Sequence, residues 1–257
     1  MDPNVTAHKQ GGDPIPQKAW QARSTLNFLK RNPNAIMNEE VVHLSNESVV
    51  HVLRKTFEVV SRDTHYISKA SRIILRDHVS GKLYQEDEVW RAEQVLIAVR
   101  AGINEFFDKR LKQAEQKFID GGKDPDNVKR PTVPYQAFCP TPDATDYLSI
   151  LTKADIYLVL LDSLHTAQLL SHTPEEAIRV KLNSEREARN QLLLLPRKTT
   201  SQFNIIRHIC SGVMEQRLVA RKAQSERAKA QNREAKELQA RTLGGMQEDM
   251  TQLAQAA

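Results

Sequence analysis

The chain has 257 residues, 37 Lys and Arg against 32 Asp and Glu, a formal net charge of +5, 40% hydrophobic residues and 5% aromatics. That length can bury a substantial core, and so few glycines (nine) and aromatics exclude a turn-rich sandwich or barrel, leaving helix as the expected state. The longest apolar run, 156–161, is far shorter than the roughly 20 residues that span a bilayer. Residues 1–17 hold no apolar signal core, and Cys139 and Cys210 make no disulfide scaffold, so a cytoplasmic location without a membrane partner is expected.

In chain order, residues 1–35 carry Pro3, Pro14, Pro16, Pro33 and Gly11-Gly12 and read as a flexible arm with a short helix near 18–30. Residues 37–45 (MNEEVVHLS) are the best strand candidate, with Ser45-Asn46 supplying a helix cap. From Asn46, the positions Val49, Val50, Leu53, Phe57 and Val60 fall at helical spacing. Arg62-Asp63-Thr64 reads as a short break with Asp63 or Thr64 capping a second helix that ends at Gly81; one continuous helix over 46–79 is the alternative. Residues 86–120 form a long amphipathic helix stopped by Gly121-Gly122. The five prolines of 123–142 predict an extended connector. Residues 145–171 form the most apolar helix, suited to the centre of a core. Thr173-Pro174-Glu175-Glu176 starts another helix, which Pro196 is expected to end near Leu195. A last helix restarts after 197–200 and loses its apolar stripe beyond Val219. Its cations, Arg217 to Arg241, either track DNA or mark a solvated tail.

No Walker A sequence, G-x-G-x-x-G, G-x-S-x-G, H-E-x-x-H or C-x-x-C occurs, so neither cofactor nor enzyme is expected. Asp162, His165 and His172 share one stretch but lack the further ligands of a metal site, and Asp155 and Asp162 read as helix-edge hydrogen-bonding groups. Charge is more informative. Arg54, Lys55, Arg62, Lys69, Arg72 and Arg76 form a basic set on the 46–79 helices. Arg197-Lys198 beside Thr199 and Thr200 would place cations and hydroxyls at a helix start, an arrangement that suits phosphate.

Strand, helix, break and helix over about forty residues fit a ribbon-helix-helix module, in which strands from two chains pair and enter the DNA major groove. A lone strand in a helical protein needs a partner, and a second copy would supply it. Val42, Leu44, Leu53 and Phe57 would close the dimer core. With Val42 and Leu44 inward, Glu39, Val41 and His43 face the groove; in the opposite register Asn38 and Glu40 do. The expected organisation is a mainly α protein: an arm over 1–35, a ribbon-helix-helix-type dimer module with one short strand over 36–80, an added helical core over 86–215, and a basic helix and tail over 216–257.

The stretches VVHLSNESVVHVLRKTF, YLSILTKADIYLVLLDSLHTAQLLS and SEREARNQLLLLPRKTTSQFNIIRHI resemble the AcaB-like transcriptional activator family of conjugative plasmids and integrative conjugative elements. The likeness runs from Val41 to about Val213. It implies a dimeric regulator of ribbon-helix-helix type with added helices that binds double-stranded DNA; as a homodimer activating transfer genes, it would use the helices 86–195 either to set dimer geometry or as a surface that meets RNA polymerase. Carried over, Glu39, Val41 and His43 match the groove-facing strand positions, and Thr64, His65 and Lys69 match a helix start that clamps phosphate. The alternative is a non-enzymatic helical adaptor of the conjugation machinery.

Overall fold

The structure, a computed structural model, describes residues 38–76, 84–128 and 130–255. The expected N-terminal arm and the stop at Gly81 lie outside the described residues. The fold is mainly α with one small antiparallel sheet. Strand β1 (Asn38–Leu44) leads into α1 (Glu47–His65), a π-helical turn (Tyr66–Ala70) and α2 (Ser71–Arg76). Helix α3 (Tyr84–Asp120), a 3-10 turn (Pro125–Asn127) and β2 (Val133–Cys139) follow, then α4 (Pro142–Thr166) and α5 (Pro174–Gln255).

Three expectations need correction. The partner of β1 is not a second chain. It is β2, antiparallel in register Glu39↔Phe138, Val41↔Gln136 and His43↔Pro134, inside the segment read as a connector. The prolines conceal this strand, yet a two-stranded ribbon has only edges, where a missing N–H is tolerated. Second, the helix does not break at Arg62-Asp63. The side chains read as caps have other partners: Asp63 accepts from Arg62 and Thr200, and the Thr64 hydroxyl donates back to the Val60 carbonyl at 2.8 Å. The irregularity comes one turn later, as the π turn. Third, α5 runs through Pro196 without stopping, so 197–200 is mid-helix and offers no free N–H groups to an anion.

Helix α4 is the centre. Ala144, Tyr147, Leu148, Ile150, Leu151, Ala154, Tyr157, Leu158, Leu160, Leu161 and Leu164 are all buried, which is why its sequence shows so little polar face. Thr141 caps it, with Pro142 in its first turn. Around it, α1, α3 and α5 contribute Val49, Leu53, Phe57, Val60, Ile103, Phe107, Leu192, Leu195, Ile206 and Cys210 to one continuous core. Helix α5 leaves that core after Val213, and 218–235 is exposed all round. No helix of the described residues is long and apolar enough to cross a membrane.

Candidate nucleic-acid interface

Alternation along β1 decides what the ribbon presents. Glu39, Val41 and His43 are exposed, Glu40 and Val42 half-buried, and Leu44 fully buried. On β2, Tyr135, Ala137 and Cys139 point to the core, leaving Pro134, Gln136 and Phe138 on the face shared with Glu39, Val41 and His43. The Gln136 amide donates to the Glu39 carboxylate across that face. Burial pushes the Cys139 thiol up to about 11, so it is an inert core group.

The ribbon is fixed to the helical body at the β1–α1 junction. Asp155 of α4 accepts from the backbone N–H groups of Ser45 (3.0 Å) and Asn46 (2.6 Å), and the Asn46 side chain caps α1 by accepting from Ser48 N. Asp162 pairs with Arg130 at 3.1 Å and Lys181 at 2.8 Å. Both acids thus have structural partners. Among the described residues no three His, Cys, Asp or Glu side chains stand together to hold a metal.

The residues singled out from sequence fall into separate groups. Arg54 and Lys55 are exposed on α1, the Arg54 guanidinium lying 5.8 Å from the ring centroid of Tyr135 behind the ribbon. Thr64 is buried, 3.1 Å from the Thr141 hydroxyl. His65 is buried, and burial, helped by Lys69, lowers its pKa. Lys69 donates to the Pro140 carbonyl at 3.2 Å, and Arg72 pairs with Glu93 at 2.7 Å. The helix start that was to clamp phosphate is therefore the interior of a helix. Arg197 and Lys198 are exposed on α5, whereas Thr200 donates to Asp63 at 3.2 Å. Leu44, Leu53 and Phe57 are buried within the single chain, with Val42 packed against the same core, so none is left uncovered for a dimer seam.

One constellation escapes sequence reading. Phe203 of α5 carries the guanidinium of Arg62 at 5.5 Å and that of Arg207 at 6.0 Å from its ring centroid. Tyr66 meets the same ring edge-on at 5.0 Å. Burial raises the Tyr66 hydroxyl to about 12, and its contact with Cys210 adds to this. The spacings 62/66 and 203/207/210 put each set on one helix face, but nothing in the sequence says that these two faces meet.

No family model matches the chain, and no curated protein is similar to it in sequence. A crystal structure of selenomethionine-containing AcaB from uropathogenic E. coli is similar in fold: TM-score 0.58, 16% sequence identity, covering 73% of this chain and 89% of that one. The two share a fold over most of their lengths.

Proposed function

We propose that this chain is a non-enzymatic, DNA-binding transcription regulator that acts as a homodimer, with conjugative-transfer genes as its targets. The observation that carries the reading is the two-stranded ribbon: one face packed on the core, the other open, and its base pinned by Asp155. A two-stranded antiparallel ribbon fits the major groove of B-DNA. On the open face the side-chain chemistry suits base edges: Gln136 can pair with adenine, Glu39 can accept from cytosine N4, and Val41 can meet a thymine methyl. The net charge of +5 supplies phosphate attraction from the helices. The fold shared with AcaB and the stretches that resemble the AcaB-like family support the same reading. Two copies on a palindromic site would place one ribbon in each half-site, leaving the helical body to meet RNA polymerase.

A competing reading is a helical adaptor of the conjugation machinery. The ribbon is complete within one chain, so its strand makes no demand for a second copy, and its open face carries Glu39 and no Lys or Arg. A gel-shift titration against the upstream region of the gene and a scrambled duplex separates the two. A regulator prefers the upstream region by about 10³ or more. Equal binding to both, or none, moves the adaptor to first place.

A further inference from the structure

We infer that Arg62 and Arg207, whose guanidiniums both lie over the ring of Phe203, form a clamp for phosphodiester oxygens of the DNA backbone on the α1–α5 face. This rests on the DNA-binding reading above and locates where that reading gains its affinity.

Arg62 is held before any ligand arrives, and Arg207 lies within cation–π reach of the same ring. Residues adjacent in a helix do not normally face one another, yet Arg62 Nε and Nη2 both reach the Asp63 carboxylate, at 2.8 and 2.7 Å. Asp63 is fully buried and anchored from the other side by Thr200. Arg62 is thus gripped along one edge by a buried carboxylate and across one face by an aromatic ring, leaving Nη1 without a partner among the described residues. Its side chain remains 42% exposed. Arg207 is exposed, rests on the same ring, and has no ion pair or hydrogen bond among the described residues. Holding the long Arg62 side chain in advance lowers the ordering cost that binding otherwise meets. The planar guanidinium fork then matches two oxygens of one phosphate.

The α5 side of the site favours an anion. Residues 188–214 of α5 contain no Asp or Glu, and carry Arg189, Arg197, Lys198 and Arg207. Arg207 differs in this from Arg72, Arg100 and Arg110, each already paired with a carboxylate on a neighbouring element. Asp63 and Phe203 act here as positioning residues, since neither would touch the phosphate.

The test is fluorescence anisotropy of the full chain on upstream and scrambled duplexes over a salt series. Arg207→Gln is the lead variant because that side chain has no buried partner. Phe203→Leu keeps an apolar contact but removes the platform, and Arg62→Gln with Asp63→Asn removes a charge pair together, so that no buried carboxylate is stranded. Arg91→Gln, exposed and paired with Glu88 on its own helix, serves as the surface control. Arg207→Gln should weaken binding to both duplexes by roughly five- to tenfold and reduce the salt slope by about 0.9, one phosphate contact. Phe203→Leu should show part of that loss while staying folded, with a modestly lower melt from the lost Tyr66 contact, and Arg91→Gln should bind as the parent does. If the parent prefers the upstream duplex while Arg207→Gln and the double variant bind identically to it, the clamp is overturned and the regulator reading stands. If the parent binds neither duplex, calorimetry with inorganic tripolyphosphate decides. Binding lost in Arg207→Gln upholds an anion clamp without the regulator reading, and no binding overturns both.

Discussion

Asp155 shows how one side chain can hold a functional element in place. Its carboxylate satisfies the two backbone N–H groups at the turn from β1 into α1, and no other side chain among the described residues reaches them. Asp155→Ala leaves both half-buried donors without an acceptor, which should cost about 2 to 4 kcal/mol. In Asp155→Asn the amide oxygen still accepts, and the loss should be nearer 1 kcal/mol; urea unfolding of the two variants checks the order. The pH dependence has a definite sign. Burial raises the Asp155 pKa above 3.8 against the opposing pull of its backbone donors, so the native state holds this proton at a pH where the unfolded chain has released it. Native stability therefore gains as pH falls through the raised value toward 3.8, and that gain is lost as pH rises. Because Asn does not titrate, stability of the parent minus that of Asp155→Asn should decline with rising pH across that window and be flat above it. A difference that instead grows with pH would show that the ionised carboxylate, with its backbone donors, outweighs its burial.

At the scale of elements, the ends of α3 and α4 carry the same device with different legibility. Gly122 sits at φ 68° beyond α3, with Lys123 N donating to Phe118 O and Gly122 N to Ile119 O, a Schellman turn. Gln168 occupies the same place after α4 at φ 58°, with Leu169 N donating to Leu164 O and Gln168 N to His165 O. The glycine announced the first stop in the sequence. The second was read five residues late, because glutamine carries no such signal. The two turns also touch: a Cβ on Gly121 would lie 2.6 Å from the Leu169 side chain. Gln168→Gly should stabilise the protein by about 1 kcal/mol by relieving the left-handed backbone, and Gly122→Ala should destabilise it by about as much. Thermal unfolding of both measures the pair, and equal, unshifted midpoints would refute the assignment. The same logic explains the misread breaks. Asp63, Thr64 and Pro196 are all stop-type residues, but Asp63 and Thr64 have tertiary or backbone partners, and Pro196 is buried within a helix long enough to absorb one lost hydrogen bond. Local chemistry proposed an end in each case and packing overrode it.

Over the whole molecule, what could be read in advance is what depends on near neighbours. That Glu39, Val41 and His43 share one face follows from strand alternation, though only packing decides that this face is the exposed one, and the burial of α4 follows from its unbroken apolar run. The ribbon's second strand lies about ninety residues downstream of the first, and Arg62 lies about 140 residues before Phe203, so neither pairing has a local signature. Helix α5 separates two regimes in the same way. Up to Val213 its buried stripe makes it part of the core. Beyond it, Arg217 still donates to the Ile74 carbonyl of α2, and then 218–235 is exposed on every side. A helix in that position has no core packing to support it, and i,i+4 side-chain pairs are worth only a few tenths of a kcal/mol each, so it adds little to the stability of the body. Ending the chain after Val219 should leave the midpoint of thermal unfolding unchanged while lowering the helical signal per residue. Residues 220–235 carry Arg221, Lys222, Arg227, Lys229 and Arg233 against Glu226 and Glu234. If this excess tracks flanking phosphates, the shortened chain should bind upstream and scrambled duplexes more weakly by the same factor, with a shallower salt slope and an unchanged ratio between them. Unchanged affinity at low salt would assign the extension to solvent and leave all DNA contact to the ribbon and the α1–α5 face.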